Sequence, residues 1–257
     1  MDHSFDLKKV RWIIGWKNIP EAYYPIKVPG VTSVINEIVP DPEYEEWIRR
    51  VGQAKVDEIM TAAGYRGSAM HCFIQQFITT LSKTKDASEA LKFTQINSPI
   101  ILKKENIPDY KIDEGRELFY KFYYSDYSTN YTIPIGIELG IYSPTLFFRG
   151  LVDIFYMDRV FGPAVTDFKT SSGYIKKDSV KELKYKLQLA GYVIALEEMY
   201  KDKKLFIKRS SILCVNTKKE VLQEIICEGK NLEHFKEEFK TLIKQYHIKY
   251  NQRHLIQ

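Results

Sequence analysis

The sequence predicts an α/β fold on three observations: a β-hairpin over residues 150–169, an amphipathic helix directly after it over 179–200, and a mainly helical N-terminal region over 40–130. In the hairpin, Val152, Ile154 and Tyr156 alternate with Leu151, Asp153 and Phe155, the period of a strand. Gly162-Pro163 marks the turn, and Ala164 to Phe168 reads as a buried second strand. Lys169 lies two residues beyond Asp167 and shares its face, while Phe168 points away into the core. Two carboxylates and an ammonium thus converge at a sheet edge, which is costly unless they hold a metal or each other. An ion pair between Lys169 and either aspartate on an exposed hairpin accounts for the same residues equally well.

The remaining elements follow in chain order. Residues 1–30 carry Trp12, Trp16, Tyr23 and Tyr24 and read as an arm packed on the core. Asp41-Pro42-Glu43 starts a helix, Arg66-Gly67-Ser68-Ala69-Met70-His71 opens another that runs through Phe73, Ile74, Phe77, Ile78 and Leu81, and a third spans about 112–127. His71 lies near that apolar stripe, where a single histidine reads first as a core residue. Residues 135–142 form a strand interrupted by one acid, Glu138, by itself an outward-facing edge charge. Ser179 caps the helix of Leu183, Leu187, Ala190, Ile194 and Leu196, on which Gln188 and Tyr192, four apart, share a face. By themselves these two read as a core aromatic and its polar edge. A second hairpin, 205–216 with 220–227, turns about Asn216 and places Cys214 on a strand remote from the acids, and a last helix over 232–250 closes the chain. His234, His247 and His254 read as solvated helix positions. With no linker or repeat, 1–257 reads as one domain: arm and helical region to 130, sheet core from 131.

The triplet Asp-x-Lys occurs four times, starting at Asp6, Asp109, Asp167 and Asp202. Only Asp167 ends an apolar strand that follows another acid-bearing strand. Joined to its neighbours it forms an ordered series: Val28-Pro29-Gly30-Val31-Thr32-Ser33-Val34, the Arg66–His71 segment, Glu138 with Gly150-Leu151-Val152-Asp153, Asp167-Phe168-Lys169-Thr170-Ser171, and Gln188-Leu189-Ala190-Gly191-Tyr192. This series resembles the PD-(D/E)xK nuclease superfamily, in particular its RecB-like branch and the single-domain mitochondrial genome maintenance and phage exonucleases within it. The resemblance implies a restriction-endonuclease-like core, a central mixed sheet flanked by helices. It further implies His71, Asp153, Asp167 and the Phe168 carbonyl as metal ligands, Lys169 as the residue that orients or deprotonates the attacking water, and Gln188 and Tyr192 as contacts near the substrate strand. Glu138 then binds a second ion, holds a water on the first, or fixes His71.

Those roles suit a Mg2+ or Mn2+ ion. Magnesium takes oxygen ligands and keeps several waters, while an imidazole is better accepted by manganese. A cation beside Lys169 disfavours its charged form, as befits a group that steers a proton. Arg66, Thr170, Lys176 and Lys177 lie where a phosphate backbone can pass, and one or two rings of the Phe119–Tyr124 cluster are available for stacking unpaired bases.

Composition excludes several alternatives. Three cysteines, at 72, 214 and 227, cannot supply the four that an iron–sulfur cluster needs, and their odd number suits a reducing compartment. No stretch reaches the length of a membrane span, and the acidic start is unlike a signal peptide or mitochondrial presequence, so a cytoplasmic location in a bacterium or phage-infected host is expected. A net charge of +5 agrees with a polyanionic partner. The sequence therefore predicts a metal-dependent DNA exonuclease that prefers single strands and serves replication, repair or recombination. A helicase, single-strand-binding or recombination partner is expected, since no ATP-binding motif is present. A structure-selective endonuclease and a non-catalytic nucleic-acid-binding module stand as alternatives.

Overall fold

The structure is a computed structural model and describes residues 28–250. The expected arm and His254 lie outside the described residues, apart from Val28 to Gly30, where Gly30 bridges to Arg149. Three helices open the described residues: α1 (Val31–Ile38), α2 (Pro42–Val51) and α3 (Gln53–Thr84). They are followed by α4 (Ala87–Lys104) and α5 (Asp109–Tyr123). The Asp41 side chain caps α2 by accepting from the Tyr44 N–H, as its sequence predicts. Arg66 does not start a helix: it lies within the 32-residue α3, because Gly64 and Gly67 cost a helix only about 1 kcal/mol each. The Phe73, Phe77 and Phe119 rings, with centroids 5.7 Å apart, pack α3 against α5.

The sheet comprises β1 (Pro134–Ser143), β2 (Phe148–Asp158), β3 (Gly162–Ser171), β4 (Arg209–Asn216) and β5 (Leu222–Glu228), in that spatial order. All pairings are antiparallel except β3 with β4, so the sheet is mixed, as expected. The β3–β4 crossover is α6 (Val180–Met199), and α7 (Gly229–Lys249) follows β5. Ser179 accepts from the Glu182 N–H, and Glu182 reaches back to the Asp178 N–H, so the polar start of α6 satisfies two free donors. Helices α1, α6 and α7 cover one sheet face and α3 and α5 the other, with α4 packed on α3, and each side has its own apolar cluster.

Several expectations differ in detail. Val152 packs with the α6 cluster, whereas Ile154 and Tyr156 pack with the α3–α5 cluster, so simple alternation fails at Asp153. The cause lies opposite: Glu138 has φ +47°, a left-handed conformation inside a strand, and Ile137 and Leu139 on its two sides also fall into different clusters. His247 is fully buried, not solvated, with Nε2 3.0 Å from the Leu146 carbonyl oxygen. Cys214 is not remote, because it sits in register with Lys169 across the β3–β4 ladder. No helix among the described residues is long and apolar enough to cross a membrane.

Glycines in these helices make opposite demands. A Cβ on Gly115 of α5 would stand 2.3 Å from the Ala69 Cβ and 2.8 Å from the Met70 nitrogen, so only glycine allows α5 to approach α3 this closely. Gly64 meets nothing within 4 Å. Gly115→Ala is therefore expected to cost about 1–3 kcal/mol by forcing the helices apart, and Gly64→Ala to add about 0.5–1 kcal/mol through helix propensity. Thermal melts of the two variants should shift in opposite directions, by roughly 2–12 °C down and 1–4 °C up. A shared direction would show that the α3–α5 contact is not as described.

Candidate active site

The β2–β3 ladder stops at Ile154 and Thr166, one residue short of the two aspartates. Beyond that point the strands part, and the Phe168 N–H donates to Asp153 Oδ2 at 2.6 Å in place of a ladder bond. Because the N–H and C=O of one strand residue project toward the same edge, the Phe168 carbonyl also turns to this gap. The Phe168 ring points the other way, as its sequence position predicts. It is buried edge-on against Phe122, Tyr131 and His71, with centroids 5.6, 5.5 and 6.3 Å away.

Five elements, α3, β1, β2, β3 and α6, supply the groups around the gap. His71 comes from α3, and its Nδ1 lies 3.5 Å from Asp153 Oδ2. Glu138 stands opposite Asp153 on β1, where its left-handed backbone re-aims the side chain. His71, Glu138 and Asp153 each present a ligand atom, all within 4.8 Å of one another. On β3, Lys169 Nζ is 2.5 Å from Asp167 Oδ2, while Asp167 Oδ1 accepts from Gln188 Nε2 at 2.8 Å. The same Gln188 amide donates to the Tyr192 hydroxyl at 2.7 Å.

Gln188 and Tyr192 thus stand behind Asp167, each only 4% exposed, and Tyr192 has no open face for a nucleic-acid strand. A Cβ on Gly150 would come within 2.9 Å of the Tyr192 ring, which explains the glycine ahead of Leu151-Val152-Asp153. Arg66 is drawn to α5, 3.6 Å from Glu114, rather than to the acids. Thr170 is half-buried at the end of β3, and Lys176 and Lys177 are exposed in the loop that follows. Of the tyrosine-rich cluster, Phe119 and Phe122 are core and Tyr124 is exposed.

Electrostatics follow from burial. Burial opposes a charged His71, yet the Asp153 carboxylate lifts the ring to about 9. Asp153 is held below the usual carboxylate range, because the His71 charge outweighs desolvation. Burial, joined by repulsion from Asp153, pushes Glu138 up to about 7 and Asp167 up to about 6. Burial lowers the Lys169 pKa, but Asp167 and Asp153 overcome this and raise it above the ordinary lysine value. The ammonium is held charged by its neighbours.

This donor set fits a divalent cation. Asp167 Oδ2 is buried, and among the described residues the Lys169 ammonium is its one partner. Three carboxylates and one imidazole are hard or borderline ligands, suited to magnesium or manganese. Sequence reasoning passed over the lysines beside Gln188. Lys181 and Lys184 precede it by seven and four residues, a spacing that places all three along one stripe of α6.

The model of the PD-(D/E)XK nuclease superfamily matches residues 43–254. No curated protein matches the chain significantly.

Raised acids dictate a pH signature. Glu138 and Asp167 have higher pKa values folded than unfolded, so their burial destabilises the chain as pH rises from about 4 to 7, fully so above 7. A cation that binds the ionised acids relieves this cost. Mn2+ at about a hundredfold excess over its Kd should stabilise the fold by about 2.7 kcal/mol, roughly 5–10 °C in Tm. The shift should be larger near pH 8 than near pH 5.5 and should vanish with a chelator. A shift independent of pH, or retained in Asp153→Ala, would place the cation elsewhere.

Proposed function

Because the chain belongs to the PD-(D/E)XK nuclease superfamily and is thereby a metal-dependent nuclease, we propose that it is a DNA exonuclease of the RecB-like branch that uses Mg2+ or Mn2+ and prefers single strands. The observation that carries this reading is the convergence of His71, Glu138 and Asp153, each offering a ligand atom within 4.8 Å of the others, beside the Asp167–Lys169 pair at the parting of β2 and β3.

In this reading Asp153, Asp167, Glu138, His71 and the Phe168 carbonyl hold the cation. When bound, the ion supplies charge neutralisation at the phosphate and a more acidic water. Lys169 orients the attacking water and steadies the charge that builds on the phosphate oxygens. Its position depends on Asp167, which Gln188 fixes from behind, and Gln188 is fixed in turn by the Tyr192 hydroxyl. Lys176, Lys177 and Thr170 flank the end of β3 and suit contacts to the phosphate backbone. The roles of strand contact once expected of Gln188 and Tyr192 become positioning roles. DNA replication, repair or recombination is the setting such an activity serves, with a helicase or single-strand-binding protein as partner.

Substitutions separate these roles. Asp153→Ala should reduce cleavage to background while DNA binding in a chelator persists. Lys169→Ala should slow the chemical step by about 10²–10⁴-fold with little change in Mn2+ affinity. Near-normal turnover of either variant at saturating Mn2+ would refute the assignment. For the need of a free end, linear and circular single-stranded DNA of the same sequence are compared. The linear form should be degraded to short products and the circle should resist. Rapid linearisation of the circle would indicate an endonuclease, and no cleavage of either a binding module.

A further inference from the structure

Beyond Lys169 and Gln188 the gap opens into a cavity of about 490 Å3 between α1, α2 and α6. Its size falls within the range of small-ligand sites. One wall is α2, a helix with no buried residue, which turns Tyr44 and Trp47 toward the cavity with ring centroids 5.9 Å apart. Tyr44 is 38% exposed, so these rings serve no core. The opposite wall is the first half of α6, whose Lys181 and Lys184 line the cavity. Asp41 holds the two walls in register, since it caps α2 and pairs with Lys184 at 3.1 Å. Of the two acids on the lining, Asp41 pairs with Lys184, and Glu43 is exposed.

We propose that this cavity is a subsite for one unpaired nucleotide adjoining the scissile phosphate, with its base against Trp47 and Tyr44 and its backbone phosphate near Lys181 and Lys184. The inference rests on the nuclease reading and deepens it. Aromatic faces with flanking cations form the chemistry of base stacking, which takes any base. Lys169 belongs both to the cavity lining and to the Asp167 pair, so a phosphate at the acids leads its neighbouring nucleotide directly into this space. A base held in a walled cavity cannot keep its Watson–Crick partner. Single-strand selection therefore takes place at α2, without any base-specific contact.

The test uses a series of short, fluorescently labelled single strands, each with one abasic site moved stepwise along it, bound to the full chain in a chelator. The wild type should lose affinity by about tenfold or more at one abasic position and little elsewhere. Trp47→Ala should weaken the intact strand by a similar factor and lose that positional dependence, whereas Trp47→Phe should keep it. Trp47 lies on a helix without buried residues, so the variants should fold, which unchanged melts would verify. A wild-type dip that persists in Trp47→Ala, or a wild type that binds without any dip, overturns the subsite and leaves the nuclease reading standing. A wild type that neither binds single strands nor cleaves them overturns both.

Discussion

Asp153 and Asp167 are 9% and 2% exposed, and both lie where two strands of a sheet have just stopped pairing. Burying one carboxylate is expensive, and burying two beside a third, Glu138, is more so, since each ionised group raises the cost of the next. The fold meets this cost piecemeal. Asp153 takes a backbone N–H and faces an imidazole, while Asp167 takes an amide and an ammonium. What is left over, a Glu138 and an Asp167 whose pKa values stay raised, is the electrostatic demand that a divalent cation satisfies. A structural ion pair alone would have no need of the third acid or of the strained backbone at Glu138.

Delivery of these groups depends on packing far from the acids. His71 reaches the gap from α3, whose position is fixed by the close approach of α5 at Gly115 and by the Phe73–Phe119 stack. The Phe168 ring anchors β3 on the same side, between Phe122 and Tyr131. From the other face α6 contributes Gln188, backed by Tyr192, which is packed against Gly150. The two apolar clusters therefore hold opposite halves of one site, and the sheet between them sets their spacing.

Much of this was legible in the sequence because it is local. The Ser179 and Asp41 caps, the Asn216 turn and the two-residue offset of Asp167 and Lys169 each depend on a few neighbouring residues. Other features depend on partners distant in the chain. Arg66 looked like a helix start because two glycines surround it, but packing carries α3 through them. His247 looked solvated among lysines and tyrosines, yet its partner is a carbonyl 101 residues away. The alternation around Asp153 broke because of the left-handed turn at Glu138, for which no glycine or asparagine gave a signal. Gln188 as the polar edge of a core Tyr192 follows from their four-residue spacing, whereas the bond from Gln188 to Asp167 is visible only once α6 is laid on β3.

The central claim is that the cost of these buried acids is met by a cation held between α3, β1, β2 and β3. Diffraction from crystals soaked in Mn2+, recorded where manganese scatters anomalously, tests it most directly. The account predicts a dominant anomalous peak in the gap between β2 and β3, within bonding distance of Asp153 and of at least two others among His71, Glu138, Asp167 and the Phe168 carbonyl. Manganese found only at surface acids, with His71 still resting on Asp153 and Lys169 on Asp167, would contradict it and leave the cluster as a structural ion-pair network.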